Sequence, residues 1–297
     1  MVIKVKEYQE KLLEGVKKLI ESKSFTDFLR FSSKFRKYSF GNVLLIWTQR
    51  PNATRVAGMR FWNSLGRTVR KGEKGIMIFA PFLKKVKKAV KSDENSGPDV
   101  TAESVEATES AQGKEMQTLA GFKGVYVFDV SQTEGKPLPE LEIGRPCMDI
   151  GDAEDLFKRI LGASPVPVDY EEIIGDSNGY YLPKEKKIVL SDALTSEQRC
   201  KTLLHELAHH LSLEENGKAG IDRNREELIA EGAAYIVSAH FGLNSSGYSV
   251  PYIASWARGE MKEVLSAGEK MRKISDRLIG LVEPSVSIGS NSTTAAA

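Results

Sequence analysis

The segment 201–213, KTLLHELAHHLSL, constrains the fold of this chain most strongly, because it holds three of the four histidines. It contains the pattern HExxH, in which His205 and His209 are one helical turn apart and share a face of the helix. Two imidazoles at that spacing can bind one metal ion, and the leucines around them favour burial of the helix. The pattern therefore predicts a buried helix with a metal site, where Glu206 is the catalytic base beside the metal-bound water.

A second helical segment at 224–243, NREELIAEGAAYIVSAHFGL, offers the third protein ligand that a tetrahedral zinc site needs. Glu227 and Glu231 fall on one face of this helix with two alanines, whose small side chains would let the two helices approach closely. We expect Glu227 to be the third ligand and Glu231 to hydrogen-bond a ligand imidazole. Glu226 and Glu231 remain alternative ligands, because a one-residue error in the assigned face would exchange them.

The expected cofactor is one zinc ion per chain, bound by His205, His209 and Glu227, with manganese or another divalent metal as the alternative. A bound metal alone does not make a peptidase, since such an enzyme also needs a phenolic or cationic group that stabilises the oxyanion. The sequence does not choose among three candidate phenols, Tyr235, Tyr248 and Tyr252. His210 and His240 are predicted to be structural or exposed.

The charges of the chain are strongly segregated. Residues 1–91 carry 22 lysines and arginines against 6 acidic residues, a net charge of +16, whereas the remaining residues carry 20 basic and 34 acidic ones, a net charge of −14. A basic module of this kind is typical of a protein that binds a polyanion, because neutralised phosphates release counterions. The predicted DNA-binding residues are Arg36, Lys37, Asn42, Arg50, Arg55, Arg60, Trp62, Arg67, Arg70, Lys71 and Lys74.

Aromatic residues interleave with these basic ones, as in grooves that hold single strands by charge and by stacking of unpaired bases. Trp47 lies in an apolar run and is predicted to belong to the core, and a core position is the alternative for Phe61. For Trp62 the core and the DNA surface are both open. No helix-turn-helix or zinc-finger pattern is present, which disfavours sequence-specific reading of duplex DNA.

The length of 297 residues suits two domains, and the pattern of helices and strands predicts the α+β class. We predict a first domain over 1–140, a second over 141–285 and a disordered tail over 286–297. The stretch 84–118 is predicted to be a disordered insertion, because its acidic, serine- and threonine-rich part has few large apolar residues to bury. No apolar run approaches the roughly 20 residues of a membrane span, so we expect a cytoplasmic protein without a membrane partner.

Several long motifs resemble one known family. The stretch 38–81, YSFGNVLLIWTQRPNATRVAGMRFWNSLGRTVRKGEKGIMIFAP, and the later VFDVSQTEGKPLP resemble the N-terminal single-stranded-DNA-binding domain of ArdC-type antirestriction proteins. HELAHH, EELIAEGAAYIVSAHFGL and YIASW resemble the zincin-like metallopeptidase domain that follows it, and the pattern ExxxE, 18 residues after His209, resembles the ExxxD element of gluzincin peptidases. The resemblance implies a mobile-element protein that binds single-stranded DNA and helps incoming DNA to escape restriction.

Three hypotheses follow for the function. The first is a single-stranded-DNA-binding antirestriction protein whose C-terminal domain binds metal. The second is a DNA-responsive zinc metallopeptidase that cleaves a repressor or a restriction component, in which case a protein substrate is also a partner. The third is a replication or transfer accessory, because the N-terminal module also resembles domains attached to plasmid primases.

Overall fold

The structure is a computed structural model, and it describes residues 5–21, 25–85, 117–138, 150–216, 222–243 and 260–283. The first described elements are three helices. In the first of them Leu12, Val16 and Leu19 recur every three or four positions and are all buried, which is the pattern of an amphipathic helix. The third helix starts after Ser39, whose hydroxyl caps the first turn by accepting a hydrogen bond from the backbone. These helices are α1 (Val5–Glu21), α2 (Phe25–Ser32) and α3 (Phe40–Gln49).

A small sheet and a two-stranded ribbon complete the N-terminal part. The sheet has the strand order β1-β4-β3 with antiparallel neighbours, and β2 pairs with β5 in the ribbon. Gly66 and Gly72 have positive φ angles of 70° and 89°, which let the chain turn after the fourth helix and before the third strand. The elements are β1 (Val56–Ala57), α4 (Met59–Ser64), β2 (Arg67–Val69), β3 (Ile76–Lys85), β4 (Gln117–Asp129) and β5 (Thr133–Gly135).

The strands β3 and β4 extend into the predicted disordered insertion. Their pairing continues past a bulge at Phe82 and Leu83 as far as Lys85 and Gln117. The prediction was therefore wrong for positions 84, 85, 117 and 118, because a ladder of backbone hydrogen bonds does not require apolar side chains. Positions 86–116 lie outside the described residues.

The exposed edge of β3 is closed by two carboxamides of α3. Asn42 donates to the carbonyl of Phe79 and accepts from its N–H, both at 2.8 Å, and Gln49 forms the equivalent pair with Met77 at 3.0 Å. Each carboxamide thus replaces a peptide group of a neighbouring strand. The prediction that Asn42 contacts DNA is corrected here, because both of its polar atoms are committed to the sheet edge and the side chain is buried.

The C-terminal part combines a second sheet with long helices. The strand order is β6-β8-β7, in which β6 runs parallel to β8 and β7 antiparallel to it. Two long helices were predicted here, whereas the last helix was not, although its buried residues Val264, Met271, Ile274 and Leu278 have helical spacing. The elements are α5 (Ile150–Gly162), β6 (Val168–Glu171), β7 (Gly179–Leu182), β8 (Lys187–Ser191), α6 (Ser196–Asn216), α7 (Arg223–His240) and α8 (Met261–Val282).

The two parts of the chain pack together through α8. Phe40 of α3 lies against Gly268, where a Cβ atom would be only 2.3 Å from its ring. Beside it, the Arg36 guanidinium forms ion pairs of 2.9 Å with Asp276 and Glu283. The described elements include both helices and sheets, so the fold is of the mixed helix-and-sheet kind. The buried residues of both parts form one continuous cluster. The predicted boundary at residue 140 and the tail at 286–297 lie outside the described residues.

None of the described helices has the combination of length and hydropathy that a membrane-spanning segment requires.

Candidate metal centre and nucleic-acid interface

Helices α6 and α7 bring three potential ligands together. The Nε2 atoms of His205 and His209 are 3.0 Å apart, and Glu227 Oε2 lies 3.5 and 3.6 Å from them. Two ligands about 2.1 Å from a tetrahedral ion are about 3.4 Å apart, so these separations suit a zinc-sized ion. Among the described residues this is the one group of at least three such side chains whose donor atoms lie within 4.8 Å of one another. The donor set of two imidazoles and one carboxylate fits a divalent metal.

The charges around His205 favour a cation. Burial alone would lower the pKa of His205, but the carboxylates of Glu227 and Glu231 outweigh it and raise that pKa to about 10. The contacts with His205 and His209 hold the pKa of Glu227 well below its usual range. The same negative charge that favours a proton on His205 favours a divalent ion between these side chains.

Glu231 occupies the position predicted for a residue that orients a ligand. Its Oε2 lies 2.7 Å from Nδ1 of His205, although the ring N–H does not point straight at this oxygen. The alternative ligand Glu226 faces another way, because it accepts hydrogen bonds from Ser212 at 2.6 Å and Lys270 at 2.9 Å. Of the three acidic residues considered, Glu227 is therefore the one whose oxygen approaches both Nε2 atoms.

Glu206 is held beside the two histidines in a buried position, with only 7% of its surface exposed. Burial raises its pKa, while the histidine charges and a hydrogen bond from the backbone of Tyr181 counteract that effect. Tyr181 belongs to β7, an edge strand of the second sheet, and its hydroxyl lies 2.9 Å from Nδ1 of the buried His210. Sequence reasoning missed Tyr181, since no local pattern shows which strand will lie along α6.

The other two histidines and the three candidate tyrosines were also considered in the sequence analysis. His210 has its Nε2 3.5 Å from Glu214, and His240 has its Nε2 2.8 Å from Glu283, which suits the structural role predicted for both. Tyr235 is fully buried in the core. The other two candidate phenols, Tyr248 and Tyr252, lie outside the described residues.

Several of the predicted DNA-binding residues are used within the fold. Trp62 is only 2% exposed and donates from Nε1 to the carbonyl of Phe128, so its proposed role in DNA binding is corrected to a core role. Arg36 is committed to the ion pairs with α8. Arg67 donates to the carbonyls of Thr133 and Lys136 in the β2-β5 ribbon. The three side chains are therefore fixed by partners that lie far away in the sequence, and they stabilise the fold.

Two further arginines are partly engaged near a cleft. Arg50 donates a hydrogen bond to the hydroxyl of Ser131. Arg70 donates to the carbonyl of Ser131 and to the carboxylate of Glu73. The cleft has a volume of about 520 Å³ and is lined by residues 72–76 together with Gln49, Arg50 and Gln132. It places a basic loop and backbone groups around a solvent-accessible cavity.

Five predicted DNA-binding residues have exposed or half-exposed side chains in the first part of the chain: Lys37, Arg55, Arg60, Lys71 and Lys74. Lys71 and Lys74 belong to the loop beside the cleft. Of the other two aromatic residues for which a core position was open, one is packed in the fold and the second is exposed. Trp47 is half-buried with its ring 5.4 Å from that of Phe28, in agreement with a core role, whereas Phe61 is 58% exposed.

Comparisons with known proteins identify the N-terminal part and the fold. Residues 5–128 match the family model of the N-terminal domain of anti-restriction factor ArdC. Two crystal structures of the antirestriction ArdC protein from the R388 plasmid share the fold, each over 82% of this chain and 85% of the other. The Mn(II)-bound structure has a TM-score of 0.52 at 20% identity. The metal-free structure has a TM-score of 0.51 at 22% identity.

A longer relative is also similar in sequence. An uncharacterized protein of Bacillus anthracis is 27% identical over 281 residues, which cover 85% of this chain and 46% of the relative. The chain therefore spans about half the length of this curated relative.

Proposed function

We propose that this chain, which is an ArdC-type protein, binds single-stranded DNA through its basic N-terminal part and holds a divalent ion at His205, His209 and Glu227. The biological role that we propose is protection of DNA from restriction, as the name of the matched family indicates. The proposed DNA-binding part contains the positively charged residues 1–91, and the proposed metal centre lies in the part of the chain that follows it.

The observation that carries the DNA-binding proposal is the group of exposed basic residues in the matched part of the chain. Arg60 is exposed on α4, and Lys71 and Lys74 are exposed on the loop between β2 and β3, where a phosphate backbone can reach them. Each phosphate neutralised on a single strand contributes to binding through release of counterions, and this contribution falls as salt rises. The fold offers no helix arranged as a major-groove reader among the described residues, so the proposal is for single strands.

The test is direct binding of fluorescent oligonucleotides to the full chain at several salt concentrations. We expect tighter binding to single-stranded than to duplex DNA of the same sequence, little dependence on base sequence, and a steep loss of affinity with salt. A preference for the duplex would contradict the proposal. Binding that is indifferent to salt would contradict it as well.

The proposed metal is zinc, with Mn as the alternative because the R388 relative has been crystallised with Mn(II). When bound, a divalent ion of this kind polarises a carbonyl and lowers the pKa of bound water to about 7. The residues of this chain would divide the remaining work: Glu227 and the two histidines hold the ion, Glu231 orients His205, and Glu206 accepts a proton from water.

The geometry around Glu206 also favours a second candidate function, a DNA-responsive metallopeptidase. Glu206 is buried beside the ligands, and burial raises its pKa in the direction that suits a general base. The variant Glu206→Gln removes the base and leaves the three ligands in place. If it still protects DNA in a cell that carries a restriction system, protection does not need proteolysis. If protection disappears while metal content and DNA binding stay normal, the metallopeptidase is the better assignment.

A further inference from the structure

Two aromatic side chains lie exposed on one face of β4. Phe122 is 63% exposed and Tyr126 is 56% exposed, which is unusual for large rings in a strand. The pairing of β4 is regular from Phe122 to Asp129, so residues separated by an even number of positions share a face. Val127, on the opposite face, belongs to the hydrophobic core. Phe122 and Tyr126 therefore project from the outer face of the sheet, and we call them the aromatic face.

Glycines keep the surface around the aromatic face open. Gly124 lies between the two rings on the same face, and a glycine within a strand often marks close approach of a ligand. Gly75 lies under Tyr126, where an added Cβ atom would be 2.9 Å from the Cβ of the tyrosine. Tyr126 thus packs directly on the backbone of the loop that carries Lys71 and Lys74.

We propose that the aromatic face is a stacking surface for unpaired bases of single-stranded DNA, with the phosphates directed to Lys71 and Lys74. This proposal rests on the DNA-binding function proposed above. Phe122 and Tyr126 are four residues apart, about 13 Å along the strand, so each ring would stack on a different base. Stacking on an aromatic ring tolerates any base, because every base has a π-face, which suits binding without sequence preference.

The charge beside the aromatic face favours a nucleic acid over a second copy of the chain. The adjacent loop exposes Lys71 and Lys74, and the first 91 residues have a net charge of +16. Two such surfaces would repel each other, and lysine is depleted from interfaces between proteins. An aromatic surface beside a loop with two exposed lysines is instead complementary to a strand with apolar bases and an anionic backbone.

The test compares an ordinary oligonucleotide with one of the same length that carries abasic sites, which retain the phosphates but lack the bases. The proteins are the full chain and its variants Phe122→Ala, Tyr126→Ala and Tyr126→Phe, each checked by circular dichroism and thermal melting. Tyr170→Ala is the matched control, because Tyr170 is an exposed tyrosine on β6 in the other part of the chain. Affinity is measured by fluorescence anisotropy at one low salt concentration.

We expect the unaltered chain to bind the ordinary strand more tightly than the abasic one. Each alanine variant should lose about tenfold in affinity for the ordinary strand and little for the abasic strand. Tyr126→Phe keeps the ring and should bind like the unaltered chain, as should Tyr170→Ala.

The outcomes separate this proposal from the one on which it rests. If the unaltered chain binds no single-stranded DNA, the proposed function fails and the aromatic face fails with it. If it binds both strands equally and the alanine variants bind as well as the unaltered chain, DNA binding stands and the aromatic face is overturned. If sedimentation shows an oligomer that Tyr126→Ala dissociates, the face joins copies of this chain and the proposal is overturned.

Discussion

The carboxylate of Glu231 lies 2.7 Å from Nδ1 of His205, on the side of the imidazole opposite to the candidate metal position. Its neighbour Glu227 approaches the other nitrogen, Nε2, of the same ring at 3.5 Å. One turn of α7 therefore contacts both nitrogens of one histidine. A carboxylate at Nδ1 fixes the tautomer and the orientation of the ring, so that Nε2 is free to bind a metal.

This relationship predicts that Glu231→Gln weakens metal binding without abolishing it. Loss of a carboxylate behind a ligand histidine typically costs 10–100-fold in metal affinity, so we expect a loss in that range. The measurement is a competition titration of zinc between the protein and a chromophoric chelator. Glu226→Gln is the matched control, because Glu226 is bound to Ser212 and Lys270 instead of a histidine, and its metal affinity should stay unchanged. Equal affinity in all three proteins would contradict the role of Glu231.

Removal of the metal should destabilise the protein. A ligand that binds only the native state adds about 2.7 kcal/mol when its concentration is a hundred times its Kd. We therefore expect a chelator to lower the melting temperature of the metal-loaded chain by roughly 5–10 °C, measured by calorimetry. His205→Ala should melt lower and should not respond to the chelator. A melting temperature that is the same with and without chelator would show that the three side chains hold no ion.

The arrangement of this site was accessible from the sequence because helical periodicity determines it. The spacing of His205 and His209, and of Glu227 and Glu231, follows from one turn of a helix, so the faces were predictable. The contact of Tyr181 with Glu206 was not predictable, because it depends on which strand of the sheet is at the edge. That the site binds metal stays a prediction.

Two basic residues that look alike in sequence should respond differently to mutation. Lys71 is exposed, and Lys71→Ala should leave the melting temperature unchanged while the salt slope of single-strand binding falls in magnitude by about 0.7, the value for one phosphate. Arg67 is bound to the carbonyls of Thr133 and Lys136, so Arg67→Ala should lower the melting temperature. Anisotropy titrations at four salt concentrations and thermal melts of both variants check this. An unchanged slope in Lys71→Ala would remove this residue from the interface.

Asn42 should matter for stability and not for DNA binding. Replacement by leucine, of similar size, leaves the N–H and the carbonyl of Phe79 without partners at the sheet edge, which should cost about 2–4 kcal/mol of unfolding free energy. Urea denaturation measures this cost, and Asn63→Leu on the exposed surface of α4 is the control. If Asn42→Leu keeps its stability but loses DNA affinity, the assignment of Asn42 to the fold is wrong.

The basic part of the chain shows why composition predicts a surface better than it predicts single residues. Net charge and the amphipathic pattern indicated a basic module with an apolar core. They did not reveal that Arg36 pairs with α8, some 240 positions later, or that Trp62 reaches the carbonyl of Phe128. The exposed rings of Phe122 and Tyr126 were missed too, because an aromatic-rich strand is typical of a core. Such roles depend on contacts between distant parts of the chain, which no local pattern contains.

Asp129 should make the unfolding free energy of the chain decrease at low pH. Burial alone would raise its pKa, but hydrogen bonds from Ser131, Thr54 and Arg55 outweigh it, so that the pKa is lower in the native state than in the unfolded state. Its contribution is therefore present above the ordinary value of about 4 and is lost as the pH falls from there through the depressed pKa.

We expect Asp129→Asn to lower the unfolding free energy by about 2 kcal/mol at pH 7, because charge-assisted hydrogen bonds are worth more than neutral ones. The difference from the unaltered chain should narrow as the pH falls below about 4, because the carboxyl group of Asp129 becomes neutral in the unfolded state there. Urea denaturation across the pH series measures the difference, and Asp155→Asn, at an exposed position on α5, should match the unaltered chain throughout. A difference that stays constant down to pH 2.5 would mean that the hydrogen bonds of Asp129 do not depend on its charge.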